Sequence, residues 1–386
     1  MKILYVTNFW SGFADVVNHG LEEPKGMPGF NLPIKELIKQ GIEVDFVVLS
    51  YKEQINTNAA SWLKKCHFHF FNGLGFKNFN TLRKLISSKD YDFIYGQGCK
   101  PAFWANLFAN MYKVPCGVRL YGTFMGEVLN ENIFKSFFKH PYEFMLYNID
   151  KKFLLTTDDG TKGDLVCNRF NIVKSSYDFH YWVNGFDIPL TKKNAEVYSE
   201  HDENLLFLPA RFDRWKRQDM AIDILEVLVN RGLCVRLLLC GHYFDKAYVK
   251  ELEVKIKEKG LDELITLQES MPKEELYKNM VGSTALLFCY DFSNFGNVLI
   301  ESSSLGALNV VRNDGSSNRL IIDGETGILF DSIVGAADSI QAVIKGEVDS
   351  IKIRENCKAK ARTVFTTWEK RISSEIELVT TYQSKC

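Results

Sequence analysis

The 386-residue sequence predicts an α/β protein of two doubly wound, parallel-sheet domains, and three observations carry that expectation. The chain is longer than one hydrophobic core usually holds. Short apolar runs alternate with amphipathic stretches in two successive series, the βαβ order that yields a parallel sheet with helices on both faces. Runs such as TALLFCY (284–290) are apolar throughout, as strands buried on both faces are.

In the first series KILYVTNF (2–9) reads as a strand, NLPIKELIKQG (31–41) as a helix closed by Gly41, and EVDFVVLS (43–50) as the next strand. YDFIYGQG, PAFWANLFANMYK and CGVRLYG continue as strand, helix and strand. The second series runs NLLFLPAR, QDMAIDILEVLVNRG, CVRLLLCG, KAYVKELEVKIKEKG, LITLQE, TALLFCY and LNVVRND. The polar stretch between them places a linker near residues 186–193. The expected domains are therefore residues 1–186 and 187–365. A terminal helical segment, 366–386, follows the second sheet and is expected to pack back across the first domain. Two such domains facing each other take ligands in a cleft at the carboxyl ends of their strands.

Composition is that of a globular protein, with 46% hydrophobic and 25% charged residues. A net charge of −1 argues against a nucleic-acid binder, although residues 1–186 carry +4 and the remainder −5. The nine cysteines are scattered and never spaced as CxxC, which predicts reduced thiols and a cytoplasmic protein. MKILYVTNFW lacks the features of a signal peptide, and no apolar run approaches membrane-spanning length.

The chemistry gathers in the second series. Strand LLFLPA ends at Arg211, and Lys216 follows five residues later, so both cations project from the carboxyl edge of a sheet, where they suit a diphosphate. A solvated basic loop, with Arg214 and Arg217 nearby, is the alternative. TALLFCY delivers the chain to a helix N-terminus after Gly296, whose unpaired N–H groups suit phosphate, and Glu301 lies one turn further in. An anion beside a hydroxyl-rich group describes a nucleotide.

These residues resemble a known family. ARFDRWKRQDMAI, SNFGNVLIESSSLGALNVVRNDG and DGETGILF are similar to the carboxyl-terminal domain of family 4 retaining glycosyltransferases of the GT-B fold, and VPCGVRLYGT, TTDDGTKGD and WVNGFD to landmarks of the amino-terminal half. The resemblance implies a nucleoside-diphosphate sugar as donor and transfer with retention of configuration. It assigns Arg211 and Lys216 to the diphosphate and Glu301 to the ribose. Ser293, Asn294, Phe295, Gly296, Asn297 and Val298 fall in the donor-binding turn, with Gly241 and Met271 completing the donor set. Gly29, in GMPGF, resembles the glycine turn that approaches the donor phosphate from the first domain, although a plain loop would read the same way. Tyr121, Gly122 and Thr123 stand where the family's sugar pocket lies.

The sequence departs from the family pattern in three places. The first of two glutamates spaced eight apart is Ser293, the histidine before the glycine of RLYGT is Tyr121, and Arg319 stands where a glutamate is common. A serine hydroxyl can bond a sugar but offers no charge.

Other signals are weaker. GQGCKPA lacks the third glycine of a dinucleotide fingerprint. His67 and His69 share a strand face without a second ligand cluster, and Asp90 and Asp92 precede their strand, so no metal or other cofactor is expected. Residues 54–89 lack any acidic side chain and interleave lysines with aromatics, which fits peripheral contact with an anionic membrane or, alternatively, aromatics in the core below an ordinary polar face. NIFKSFFKHPYEF (132–144) is a second such stretch. The expected function is hexosyl transfer to a saccharide or lipid-linked acceptor in surface polysaccharide synthesis, at the cytosolic face of a membrane. The alternatives are a non-catalytic nucleotide-sugar-binding partner of a sister transferase and a sugar-nucleotide epimerase.

Overall fold

The computed structural model describes residues 1–23, 26–50, 58–73, 75–186 and 202–382. It divides into two compact units, Met1–Gly185 with Thr367–Cys386, and Phe186–Thr366. Most of the segment read as a linker, from residue 187 onward, lies outside the described residues.

The first unit is built on seven strands: β1 (Lys2–Asn8), β2 (Glu43–Ser50), β3 (Phe68–Asn72), β4 (Phe93–Gln97), β5 (Cys116–Leu120), β6 (Phe153–Asp158) and β7 (Asp178–Val183). They pair in the order β3-β2-β1-β4-β5-β6-β7, all parallel. Strands β4, β5 and β6 are buried along their whole length, polar residues such as Gln97, Arg119 and Thr156 included. Gly96 lets the helix Cys99–Tyr112 lie close to β4, because a β-carbon there would meet the Ala102 α-carbon at 2.6 Å.

The helix Trp368–Thr381, capped by Thr367, belongs to this unit. Its Glu375 carboxylate, buried against the sheet, accepts from Arg119 near the carboxyl end of β5, from Tyr95 of β4 at 2.8 Å, and from Arg371 one turn earlier at 3.1 Å. Arg371 in turn covers the Trp182 ring at 4.7 Å. Two buried guanidinium groups thus share one buried carboxylate, an arrangement that fixes where the terminal helix sits and leaves little tolerance for losing a partner.

Four aromatics of residues 54–89, Phe68, Phe70, Phe71 and Phe79, turn inward. Phe68 stacks on Phe46 at 4.9 Å, Phe70 on Phe68 at 5.5 Å, Phe71 is buried, and Phe79 meets Trp104 and Phe108 edge-on. Core packing therefore accounts for these rings, and the contact drawn from residues 54–89 loses its aromatic half. Residues 54–57 and Leu74 lie outside the described residues. His67, from the same segment, bonds Asp45 at 3.1 Å.

The second unit repeats the architecture with six strands: β8 (Asp202–Pro209), β9 (Arg236–Cys240), β10 (Ile265–Gln268), β11 (Ser283–Phe288), β12 (Asn309–Arg312) and β13 (Ile328–Phe330). The order is β10-β9-β8-β11-β12-β13, again all parallel. The sheet reverses direction of growth between β8 and β11, and an open α/β sheet binds its ligand at such a switch point. Side-chain caps from Asp245, Ser332 and Asp349 start three of its helices. Among the described residues no helix is long and apolar enough to cross a membrane.

Replacing Glu375 by alanine leaves Arg119 and Arg371 buried without their shared counter-charge. The expected cost is about 3–5 kcal/mol of stability in the first unit, read from chemical denaturation followed by tryptophan fluorescence.

Candidate functional site

The site is built on the two loops that flank the switch point of the second sheet. The first follows β8. Ala210 donates its N–H to the Cys240 carbonyl at 2.9 Å and Phe212 to the His242 carbonyl at 2.9 Å, so the chain stays laced to the end of β9 as it leaves the sheet. Gly241 permits this: a β-carbon there would lie 2.2 Å from the Ala210 oxygen and 2.7 Å from the Arg211 nitrogen. The sequence named Gly241 as a donor contact; its physical role here is to let two backbones touch and so set the origin of Arg211.

Arg211 hydrogen bonds Asp213 at 3.0 Å, and its guanidinium lies 4.7 Å from the centre of the Phe244 ring and 5.9 Å from that of Trp215. Trp215 is held by its own indole N–H, which donates to Asp213 at 2.8 Å. The Lys216 ammonium sits 3.6 Å from the Trp215 ring centre and 3.6 Å from the Tyr290 ring centre. Arg211 and Lys216 are thus brought together on one indole. The other two basic residues of the loop do a different job. Arg214 forms a forked pair with Glu251, both contacts at 2.7 Å, and Arg217 bonds Asp219 and reaches across to Asp291 at 2.8 Å. Gln218, fully buried, donates to the Arg211 carbonyl at 2.9 Å and ties the loop to its helix, Gln218–Asn230.

The second loop follows β11. Asp291 donates its N–H to the Trp215 carbonyl at 3.1 Å and accepts from both Arg217 and Arg312, which clamps the two loops together. Asn294 is buried, and its side chain is spent on the loop itself: Oδ1 accepts from the Tyr290 N–H at 3.2 Å and Nδ2 donates to the Tyr290 carbonyl at 3.0 Å. Its own N–H donates to Ser316 at 2.9 Å. Ser293 is nearly buried and left-handed, at φ 60°. Phe295 is a core residue whose ring faces Phe365.

Gly296 then caps the helix Asn297–Leu305, which has no acidic side chain of its own in the first turn. Asn297 is exposed and Val298 half-buried beside it. Glu301, one turn in, pairs with Lys273 at 3.4 Å, at the start of the helix Lys273–Gly282. Met271 precedes that helix and accepts from Asn279 at 3.6 Å. Arg211, Lys216, Gly241, Met271 and residues 293–298 with Glu301 accordingly belong to loops and helix starts at one edge of the sheet.

The candidates of the first unit occupy the equivalent edge of its own sheet. Gly29 lies in the first turn of the helix Pro28–Lys39, not in an open turn, and Met27 at φ 50° caps that helix. A β-carbon on Gly29 would approach Arg119 Nη2 at 3.2 Å. Tyr121 follows β5, donates to Gln97 at 2.8 Å and packs edge-on against Trp10 at 5.2 Å. Gly122, at φ 104°, abuts Asp159, whose Oδ2 would be 2.2 Å from a β-carbon on the glycine. Burial pushes the Asp159 carboxyl up to about 6. Thr123 joins the same network, with its N–H donated to Thr161 at 2.9 Å and its hydroxyl to the buried Glu143, whose pKa burial also raises. Sequence reasoning missed Trp215, Tyr290, Asp291 and Asp159. Only the apolar and acidic identities next to the motifs signalled them.

Comparison with known proteins adds three findings. Residues 191–364 match the family described as glycosyl transferases group 1. The alpha-1,3/1,6-mannosyltransferase ALG2 of Dictyostelium discoideum is 21% identical over 214 residues, 52% of this chain; the chain spans about half, 50%, of that relative's length. Among solved structures, Anabaena Alr3699/HepE in complex with UDP-glucose superposes with a TM-score of 0.69 at 17% identity, covering 99% of this chain and 100% of that one. Sucrose-phosphate synthase from Thermosynechococcus elongatus does so with a TM-score of 0.68 at 15% identity, covering all of both chains (100% each). These structures share the fold of two parallel-sheet α/β domains. Most of the second unit thus resembles the glycosyl transferases group 1 family, and the chain as a whole shares the two-domain α/β fold of these structures.

Proposed function

We propose that the protein is a retaining glycosyltransferase that takes a hexose-type sugar from a nucleoside-diphosphate donor, without a metal, and passes it to a saccharide or lipid-linked acceptor. The observation that carries this reading is the seating of Arg211 and Lys216 on Trp215 at the switch point, one loop away from the N-terminus of the helix Asn297–Leu305. The family match and the fold shared with a protein solved with UDP-glucose support it.

In this reading the diphosphate lies between the two cations and the amides that open the helix Asn297–Leu305, and Glu301 holds the ribose hydroxyls. As the sugar–phosphate bond breaks, negative charge grows on the leaving oxygen. Arg211, Lys216 and the helix dipole meet that charge with donors already in place, which is where most of the rate enhancement arises. Departure and attack on the same face leave the diphosphate oxygen positioned to take the acceptor's proton, so no carboxylate dyad is needed. Tyr121, Gly122 and Thr123 mark the acceptor side, in the first unit. Ser293 favours one second reading, a protein that binds nucleotide sugar without turning it over; donor binding by the wild type with neither transfer nor donor hydrolysis would establish it.

Screening the purified chain against nucleoside-diphosphate sugars and following release of diphosphate tests the reading. Arg211→Ala and Lys216→Ala are each expected to lower turnover about 10²–10³-fold, with unchanged circular dichroism. Near wild-type turnover in both variants would falsify the assignment. Glu301→Ala is expected to weaken binding of the free nucleoside diphosphate roughly tenfold in calorimetry, the equivalent of one lost hydrogen bond to a charged group. Gly241→Ala forces a methyl between two backbones, so it is expected to destabilise the second unit by about 1–3 kcal/mol and to weaken diphosphate binding as Arg211 is displaced.

A further inference from the structure

The aromatic surface that residues 54–89 do not supply is found elsewhere in the first unit. The short helix Ile133–Lys139 is pinned on one side and bare on the other. Asn132 caps it by accepting from the Phe134 N–H at 2.8 Å, Ser136 is buried and bonds the Asn132 carbonyl at 3.1 Å, and the Phe137 ring packs against Phe144 at 5.5 Å. Phe134 and Phe138, four residues apart, point the opposite way and are 76% and 78% exposed. Phe124, 64% exposed, stacks on His140 at the end of the same helix.

Solvent-facing phenyl rings grouped in this way on a pinned helix are costly in water and mark a contact surface. The Phe138 ring packs edge-on against Phe137 at 5.4 Å and yet stays largely exposed, so the cluster presents phenyl faces outward. Lys135 and Lys139, on the same helix, pair with Glu131 and Glu127 at 3.1 and 3.4 Å, so the charge next to the rings is balanced. The unit as a whole is the positive one, since residues 1–186 carry +4 against −5 for the rest. The surface is also continuous with the candidate acceptor loop. Phe124 follows Thr123 directly, and its N–H donates to Glu143 at 3.0 Å, the carboxylate that Thr123 also bonds.

We propose that Phe124, Phe134 and Phe138 enter the surface of an anionic lipid bilayer, which presents a membrane-embedded acceptor to the Tyr121–Thr123 loop. The membrane contact stands on the exposed rings alone; the identity of the acceptor rests on the glycosyl-transfer reading above. Amphipathic aromatic and basic surfaces bind bilayers by this combination of apolar burial and charge.

Sedimentation of the full chain with vesicles of phosphatidylcholine, with and without phosphatidylglycerol, tests it. Wild type is expected to pellet with the anionic vesicles, and the double variant Phe134→Ser, Phe138→Ser to lose at least about tenfold in partitioning. Binding of uridine diphosphate, measured by calorimetry on both proteins, separates the two ideas. Lost vesicle binding with unchanged nucleotide affinity supports the membrane face, whatever the reaction proves to be. Wild type remaining in the supernatant with both vesicle types overturns the proposal, as does a double variant that pellets like wild type. Self-association of the wild type that the double variant abolishes, without vesicle binding, would give the face to a second copy of the chain.

Discussion

The parallel pairing of β8 with β11 is the constraint from which the candidate site follows. Leu206 lies opposite Ala285 and Phe207 opposite Leu286, so two strands far apart in sequence end side by side. Parallel strands end at the same edge of a sheet, and each must leave by a loop that turns toward a helix. At a switch point those helices go to opposite faces, which opens a crevice between the loops. Arg211 and Lys216 stand on one lip, and residues 290–297 on the other. The Asp291 carboxylate, shared by Arg217 and Arg312, and the backbone bond from Asp291 to Trp215 keep the two lips in register.

Much of this was legible in the sequence because parallel strands leave a strong signal. A strand covered on both faces is mostly apolar, so LLFLP in β8 and ALLF in β11 announce themselves as continuous runs. The positions of Arg211 and Lys216 after such a run were enough to place them at a sheet edge. The partners were not legible. Trp215 and Tyr290 are separated by a whole βαβ succession, and nothing in local spacing says that both rings will close on one ammonium. Arg119 and Glu375 are 256 residues apart, and a lone buried arginine on a central strand gives no hint of the helix that neutralises it. The aromatics near residue 70 illustrate the opposite difficulty. Alternation shows that Phe68 and Phe70 share a face, but not whether that face meets a core or a solvent, and here it meets Phe46 and Phe9.

The four basic residues between Ala210 and Gln218 show how a cluster of like charges can be divided by function. Arg214 and Arg217 are matched by carboxylates, Glu251 for one, Asp219 and Asp291 for the other. A guanidinium held bidentately is a good clamp and a poor ligand site, since its donors are already committed. Lys216 also rests on rings. An aromatic ring attracts a cation through its quadrupole and orders it without cancelling its charge. The Trp215 and Tyr290 rings, each with its centre 3.6 Å from the ammonium, therefore help to fix where it sits. Arg211 is intermediate, steadied by Phe244 and by a single bond to Asp213. Carboxylate forks hold Arg214 and Arg217, whereas Arg211 keeps one bond to Asp213 and shares the Trp215 ring with Lys216, so the four cations of one short loop are positioned in two different ways.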